Sequence, residues 1–325
     1  MSPIRTLVAA LAGAAVIALG TAANAQQWPT RPILVVSPFA AGAANDIVAR
    51  IVLDQVGQQI GQAFVIENRP GGGGIVGVAS VVRADPDGHT LLLSSASMSS
   101  AAILHKSLPY DALRDLEPIA MLGAQPSVLV AAPSKGFKTV ADLVAAAKAK
   151  PGVLDFASAG IGSASHIAGE RFRLAAGINV QHIPYRGPVE ALADVMTGRI
   201  DFYFLPIAPA LSLIGQGKVV ALAVSTPQRA PLLPDVPTIA EAGYPDATYL
   251  FWGGVSAPAK TAVDIVDRLN AEINKALAKP EVRDKLGHLG VQAMPMTPSQ
   301  YGKFFADDMA AMIKLGKDAN IAPTD

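Results

Sequence analysis

The chain has 325 residues, with 26 basic and 26 acidic side chains, five histidines and no cysteine. This balance of charge argues against nucleic acid and against an anionic membrane surface as partners. The lack of cysteine excludes disulfides, thiolate zinc sites and a lipid anchored through cysteine.

Residues 1–25 have the pattern of a secretory signal peptide. Arg5 precedes an apolar run of 15 residues at 6–20, and small residues at 23–25 suit a cleavage site. The run is too short for a comfortable membrane span, and the alternative is a retained N-terminal anchor. We predict cleavage after Ala25 and export to a bacterial periplasm. Cleavage removes Arg5 and leaves a formal charge of −1.

Strands alternate with helices along the first half of the chain, which predicts an α/β fold with a largely parallel sheet. The predicted elements are a strand at 33–39, a helix at Asn45–Ile60, a strand at 64–68, a glycine-rich turn that opens a short helix, a strand at 90–97 and, after a long connection, a strand at 127–134.

The second half begins as another α/β series and ends in helices. Its predicted elements are a helix that stops at Pro151, a strand at 154–159, a loop and helix at 160–177, a short strand at 181–187, a helix with Pro188 in its first turn, strands at 200–206, 219–226 and 251–259, and helices at 262–278, 280–290 and 299–320.

This order predicts two lobes joined by a hinge of two segments. The C-terminal helices have no strands of their own to cover, so we expect them to pack on the first lobe. Domain 1 then comprises residues 26–125 and 251–325, and domain 2 comprises residues 126–250. Small ligands commonly bind in the cleft between two such lobes.

Three loops follow strands and precede helices, at 38–46, 69–77 and 160–166. Such loops form the binding crevice of open α/β sheets. A nucleotide site is disfavoured, because no G-x-x-x-x-G-K-[S/T] string is present and "GIGSAS" lacks the third glycine of a dinucleotide fingerprint. The glycine-rich "GGGGIVG" lacks the acidic residue expected about 20 positions later.

A hydrolase would use Ser163 or Ser165 with His166. The segment "GSASH" lacks the trailing glycine of a nucleophile elbow, and the five histidines (89, 105, 166, 182 and 288) are not paired at metal-ligand spacing. His166 is either bonded to a neighbouring loop or in contact with ligand. Asp46 either braces the first loop or touches ligand. Backbone amides and hydroxyls remain, and these suit a carboxylate.

The chain resembles the Bug family of periplasmic solute-binding proteins, the receptors of tripartite tricarboxylate transporters. The resemblance covers the mature chain and lies in ordered segments such as "WPTRPILVVSPFAAGAANDIVAR", "VIENRPGGGGIVG", "GIGSASHIAGERFRLAAG" and "HIPYRGPVEALADVMTGRIDFYF". It implies a two-lobed periplasmic-binding-protein fold of type II (a Venus flytrap) that captures a small carboxylate by hydrogen bonds, with no catalysis and no cofactor.

The resemblance also implies the binding residues. In the first lobe these are Phe39, Ala40, Ala43, Ala44 and Asn45, and in the second lobe Gly162, Ser163, Ser165 and His166. The far end of the ligand would meet Ser95, Ser97, Tyr185, Arg186, Gly187, Asp201 and Leu205.

One departure from the family concerns the first loop, where Gly42 is followed by Ala43 instead of a second glycine. If the position requires a positive φ, alanine is strained there; otherwise its methyl group narrows the site. The function expected is that of a monomeric receptor for a mono- or dicarboxylate, or a related amide or aromatic acid, that serves a membrane permease or a sensor protein. The alternatives are a periplasmic hydrolase using Ser163 and His166, and an orphan receptor that acts in signalling.

Overall fold

The computed structural model describes residues 28–39, 41–185 and 188–323. The predicted signal peptide and the predicted site residues Ala40, Arg186 and Gly187 lie outside the described residues.

The described residues form two β-sheets with helices packed on their faces. The strands are β1 (Ile33–Ser37), β2 (Phe64–Asn68), β3 (Thr90–Ser95), β4 (Leu116–Gln125), β5 (Ser127–Ala131), β6 (Asp155–Ser158), β7 (Gln181–Pro184), β8 (Phe202–Pro206), β9 (Val220–Val224), β10 (Phe251–Pro258) and β11 (Gln292–Ala293). The α-helices are α1 (Ala44–Ile60), α2 (Ile75–Val82), α3 (Ala96–Leu104), α4 (Ala112–Asp115), α5 (Val140–Ala149), α6 (Ala164–Ala176), α7 (Pro188–Met196), α8 (Ile207–Gly215), α9 (Val263–Ala278), α10 (Pro280–His288) and α11 (Pro298–Asp318).

The first sheet has the strand order β11-β4-β10-β3-β1-β2 and the second has the order β7-β6-β8-β5-β9. In the first sheet β1 is parallel to β2 and β3, whereas β10 is antiparallel to β3 and β4. In the second sheet β6 is parallel to β7 and β8, and β5 is antiparallel to β8 and β9. Both sheets are therefore mixed, with parallel strands at the places where the candidate loops emerge.

The chain passes between the sheets twice. Pro126 alone separates β4 from β5, and the chain returns from β9 to β10 through residues 225–250. The long strands β4 and β10 pair with each other along their length, with register shifts beside Gly253 and Val255. Each sheet therefore belongs to its own lobe, and the paired strands β4 and β10 lead into the connection.

Each sheet is covered by an apolar core on both of its faces. One face of the first sheet packs β1, β3 and β10 side chains against α1, α9 and α10, and the other face packs against α2 and α11. The alternation is visible in β1, where Val35 and Val36 are both buried but belong to opposite faces. A strand buried on both faces reads as a continuous apolar run, which is the pattern of residues 33–36.

The structure differs from the sequence-based expectation in several places, first because both sheets are mixed instead of largely parallel. The strand predicted at 90–97 ends at Ser95, because Ser95 caps α3 and accepts a hydrogen bond from the Ser97 backbone N–H. The long connection predicted before residue 127 contains β4, and the short strand β11 follows α10. Helix α8 was not predicted.

Among the described helices, none combines the length and the apolar character needed to span a membrane.

Candidate functional site

The first-lobe loop, residues 38–43, ends at a helix that has no side-chain cap. Ala43 is the N-cap of α1, and its methyl group offers no acceptor. The first backbone bond of the helix runs from the Ile47 N–H to the Ala43 carbonyl, so the N–H groups of residues 44–46 precede the helical ladder. Such groups, together with the helix dipole, attract an anion.

Ala43 is not strained. Its φ is −62° and its ψ is 154°, an extended conformation that any residue adopts. Gly42 takes the left-handed conformation of this loop, with φ +82°. Of the two alternatives for this position, backbone strain is therefore excluded, and the space taken by the Ala43 methyl group remains.

Asp46 braces the first-lobe loop from inside. Its carboxylate is fully buried and accepts hydrogen bonds from Gly42 N–H at 2.9 Å, Arg50 Nε at 3.0 Å and Asn68 Nδ2 at 2.8 Å. Burial acts to raise the pKa of Asp46, but the bonds from Arg50, Gly42 and Asn68 outweigh it and hold that pKa below its usual value. Asn68 also donates to the Phe39 carbonyl at 3.0 Å. The charge of Asp46 is thus used for structure.

Asn45 carries an unused donor next to this loop. The side chain is only 7% exposed, and its Nδ2 is buried with no hydrogen-bond partner among the described residues. Its Oδ1 lies against Gly253 of β10, where an added Cβ would sit 2.9 Å away. Gly253 pairs with Ser95, which places Asn45 at the edge of the sheet where β3 ends. A buried amide without a partner costs free energy unless a ligand or water satisfies it.

Ser95 and Ser97 lie at the same edge. Their hydroxyl groups are 2.7 Å apart, Ser95 is fully buried and Ser97 is half-buried. Because β1 and β3 are parallel neighbours, their carboxyl ends bring Phe39, Asn45 and the two serines to one edge of the first sheet. The structure therefore brings together those predicted first-lobe residues that it describes.

The second-lobe loop, residues 160–163, ends at a helix that is capped. Ser163 is the N-cap of α6 and accepts a hydrogen bond from the His166 backbone N–H at 3.3 Å. Ser163 and Ser165 hydroxyls are 3.0 Å apart, and Ser165 also accepts from the Ala159 N–H at 3.0 Å. Gly162 has φ +77°, and an added Cβ there would meet Leu104 Cδ1 at 2.1 Å. Since Leu104 ends α3 of the first lobe, this contact joins the two lobes at the loop.

His166 lies below this loop as a neutral, buried imidazole. The Gly162 N–H donates to its Nδ1 at 3.1 Å. Burial lowers its pKa to about 3, with further contributions from His182 and Arg173. The ring therefore braces the loop and does not activate Ser163. The hydrolase alternative is not supported by this arrangement, because the imidazole makes no bond to the Ser163 hydroxyl.

Tyr185 lies near the second-lobe loop, but its hydroxyl group is already bonded within the protein. Tyr185 follows β7 at the same edge as the second-lobe loop, and its hydroxyl donates to Asp194 at 2.6 Å. Burial and this bond raise the pKa of Tyr185 to about 12.

The predicted position of Asp201 in the site is wrong, and the side chain of Leu205 is buried. Asp201 precedes β8, at the opposite end of the sheet from the loop, where it accepts from the Asp155 N–H at 2.8 Å and pairs with Lys135 at 2.8 Å. Leu205 is 1% exposed in an apolar cluster with Val128. Asp201 therefore lies away from the edge that carries the other candidates. Leu205 lies near that edge, at the carboxyl end of β8, but its side chain is packed in the core.

Sequence reasoning missed three residues that support the loops, namely Asn68, Ser158 and His182. Asn68 could have been suspected from its position at the end of β2, beside the first-lobe loop. The position of His182 behind the loop depends on the pairing of β6 with β7, which sets Phe156 opposite His182. Within the described ranges, no group of three or more histidine and carboxylate side chains is arranged to hold a metal ion.

The two lobes and the pair of loops at their facing edges define a solute-binding protein of the two-lobed periplasmic type. The family model TctC, described as tripartite tricarboxylate transporter family receptor, matches residues 48–321. The chain therefore belongs to this receptor family, and it is a receptor and not an enzyme.

Two relatives illustrate the similarity in sequence. The UPF0065 protein in the tcbD-tcbE intergenic region of Pseudomonas sp. strain P51 is 38% identical over 309 residues, which cover 94% of this chain and 92% of that protein. Protein BugT of Bordetella pertussis is 35% identical over 308 residues, 94% of each chain.

Two solved structures illustrate the similarity in fold. R. palustris Rpa4515 with adipate is 30% identical with a TM-score of 0.77, covering 91% of this chain and all of that one. MatC from Rhodopseudomonas palustris with bound malate is 30% identical with a TM-score of 0.73, covering 89% of this chain and all of that one. The prediction of a two-lobed α/β receptor is thereby confirmed.

Proposed function

We propose that this chain captures a small carboxylate between its lobes and delivers it to the membrane subunits of a tripartite tricarboxylate-type transporter. The observation that carries the proposal is the buried, unpartnered Nδ2 of Asn45 beside the uncapped start of α1. A carboxylate oxygen accepts hydrogen bonds from both, and charge-assisted bonds of this kind are stronger than neutral ones. Adipate and malate in the two solved relatives support this class of ligand.

The proposed lobes are residues 26–125 with 251–325, and residues 126–250. The ligand would bind between the first-lobe loop and the second-lobe loop, with bonds from protein amides and hydroxyls. The proposed binding residues are Phe39, Ala40, Ala43, Ala44, Asn45, Ser95, Ser97, Gly162, Ser163, Ser165, His166, Tyr185, Arg186 and Gly187. The mature receptor would be a periplasmic monomer, released by cleavage after Ala25.

Calorimetric titration of the purified protein with mono-, di- and aromatic carboxylic acids, adipate and malate included, tests the proposal. We expect at least one acid to bind without being consumed. Asn45→Asp should weaken that binding by roughly tenfold or more, because it replaces a donor with a like charge. Asn179→Asp, which changes an exposed residue in the same way, is the matched control and should bind as the wild type does.

Two results would contradict the proposal: no acid binds, or Asn45→Asp binds as tightly as the wild type. Uptake of the labelled acid by cells that lack this protein separates transport from signalling. Loss of uptake supports delivery to a permease, whereas unchanged uptake with an altered transcriptional response supports a sensor partner.

A further inference from the structure

A stacked pair of histidines lies behind the second-lobe loop. The rings of His166 and His182 are 4.1 Å apart between centroids, with an angle of 19° between their planes. Phe156 also stacks on His182, at 4.9 Å and 23°. His166 belongs to α6, the helix that the loop enters, whereas His182 lies on the neighbouring strand β7.

His182 reaches the loop through Ser158, the last residue of β6. The His182 Nε2 is 2.6 Å from the Ser158 Oγ. The same oxygen accepts the Gly160 N–H at 3.1 Å and donates to the Gly160 carbonyl at 3.1 Å. A hydroxyl has one proton to donate. If the Ser158 proton is given to the Gly160 carbonyl, His182 is the donor and carries its own proton on Nε2.

The same reasoning assigns the tautomer of His166. Its Nδ1 accepts the Gly162 N–H at 3.1 Å, so its proton is also on Nε2. Two neutral rings can stack at 4.1 Å without the repulsion that two cations would suffer. Burial favours the neutral form of both, since it lowers the pKa of His166 to about 3 and that of His182 to about 4.

We propose that His182 is a positioning residue: its Nε2–H, acting through Ser158, holds Gly160 and hence the second-lobe loop in the geometry that receives the carboxylate. The inference rests on the proposed function of this loop. His166 fixes the Gly162 end of the loop and His182 fixes the Gly160 end, so the two imidazoles hold both ends of a segment that contains left-handed residues at 160 and 162.

Three variants separate positioning from simple packing. His182→Phe keeps an aromatic ring for stacking and removes Nε2, whereas His182→Gln keeps an amide donor at nearly the same place. Ser158→Ala removes the partner. With adipate and malate as probes, we expect His182→Phe and Ser158→Ala each to weaken binding about tenfold, and His182→Gln to recover most of it.

The double variant of His182→Phe with Ser158→Ala should bind as weakly as either single variant, because both remove the same link. His288→Phe, at an exposed histidine of α10, is the matched control and should leave binding unchanged. A purely structural role would lower the unfolding temperature of His182→Phe while the folded protein keeps its affinity, and this result would overturn the proposal.

Nitrogen NMR of the imidazoles at pH 7 gives a readout that needs no ligand. Both His166 and His182 should be neutral and protonated on Nε2, and Ser158→Ala should shift the Nε2–H signal of His182 far more than that of His166. Protonation of His182 on Nδ1 would overturn the proposal. If the wild type binds neither probe, the variants are compared with an acid that the titration identifies. If no acid binds, the proposed function fails, and the NMR result still decides the arrangement of His182.

Discussion

The first-lobe loop and the second-lobe loop occupy equivalent places, each between a parallel strand and a helix, but they are held differently. A buried carboxylate, Asp46, holds the first by accepting bonds from Arg50 and Asn68. Neutral hydroxyl groups and imidazoles hold the second. The first loop leaves its helix uncapped, whereas Ser163 caps the helix of the second.

The difference indicates that the two loops contribute differently to ligand binding. In the first loop, the charge of Asp46 is bonded within the loop and makes it rigid. The N–H groups at the start of α1 and the Asn45 amide are left to bind a ligand. In the second loop, most of the polar groups already bond to side chains of the loop itself. This loop also contacts the first lobe, through Gly162 and Leu104. We therefore expect the first loop to contribute more of the binding free energy and the second to contribute shape and closure.

The largest expected effect is a loss of folding stability at low pH, caused by two histidines of the second lobe. The pKa values of His166 and His182 are depressed to about 3 and about 4, below the ordinary value of an unfolded histidine. Between about pH 6.5 and pH 4 the unfolded chain therefore binds protons that the folded chain does not. Stability is complete above about pH 6.5 and falls as the pH drops, by up to about 1.4 kcal/mol per pH unit for each histidine.

Urea unfolding at several pH values measures this effect, and the difference between variants isolates it from the carboxylates. His182→Phe should show a shallower loss of stability in acid than the wild type. His182→Gln, equally unable to titrate, should be shallower in the same way, which controls for the shape of the replacement. The same acid dependence in all three proteins would show that His182 is not a buried neutral group.

The next largest effect concerns the brace of the first-lobe loop. Asp46→Asn keeps the size of the side chain but removes the charge that Arg50 and the Gly42 N–H bind. We expect the free energy of unfolding to fall by about 2 kcal/mol, the scale of hydrogen bonds to a charged group. Asp54→Asn, at an exposed position of the same helix, should change it by less than about 0.5 kcal/mol. Equal stabilities for the two variants would mean that Asp46 is not the brace.

The smallest expected effect is that of a variant that gives the start of α1 the same kind of capping residue as the start of α6. Ala43→Ser adds a hydroxyl that can accept from the first turn of α1, as Ser163 does in α6. It should stabilise the protein by about 0.5–1 kcal/mol and weaken carboxylate binding several-fold, because the cap competes for the same donors.

Ala262→Ser is the matched control, because Ala262 is also an N-cap without a side-chain bond, on α9. It should add similar stability without affecting binding. If Ala43→Ser binds ligand as well as the wild type does, the start of α1 is not a binding element.

Much of this architecture could be predicted because its signals are local. The buried run of β1 and the apolar face of α1 predict both elements, and the order of elements predicts the two lobes. Strand β4 was missed because Pro118 and Gly123 within it are typical of a connection. Its pairing with β10 is a long-range contact that no local pattern indicates.

The candidate site was predictable only in part, for the same reason. Loops that follow parallel strands lie together by topology, so the two candidate loops could be predicted, whereas Asn45, Ser95 and Ser163 were proposed as binding residues from the family resemblance. Asp201 was misplaced because it precedes its strand and so lies at the opposite edge of the sheet. His182 was missed because its role depends on the register of β6 and β7, and Ala43 was suspected of strain because the sequence does not show that Gly42 takes the positive φ.

Mass spectrometry of small molecules released from the protein purified under native conditions tests the central claim most directly. We expect one carboxylic acid in near-equal amount to the wild-type protein, and far less of it from Asn45→Asp purified in parallel. Release of no acid, in a preparation that also fails to bind any acid on titration, would contradict the account. So would equal amounts of acid from the two proteins.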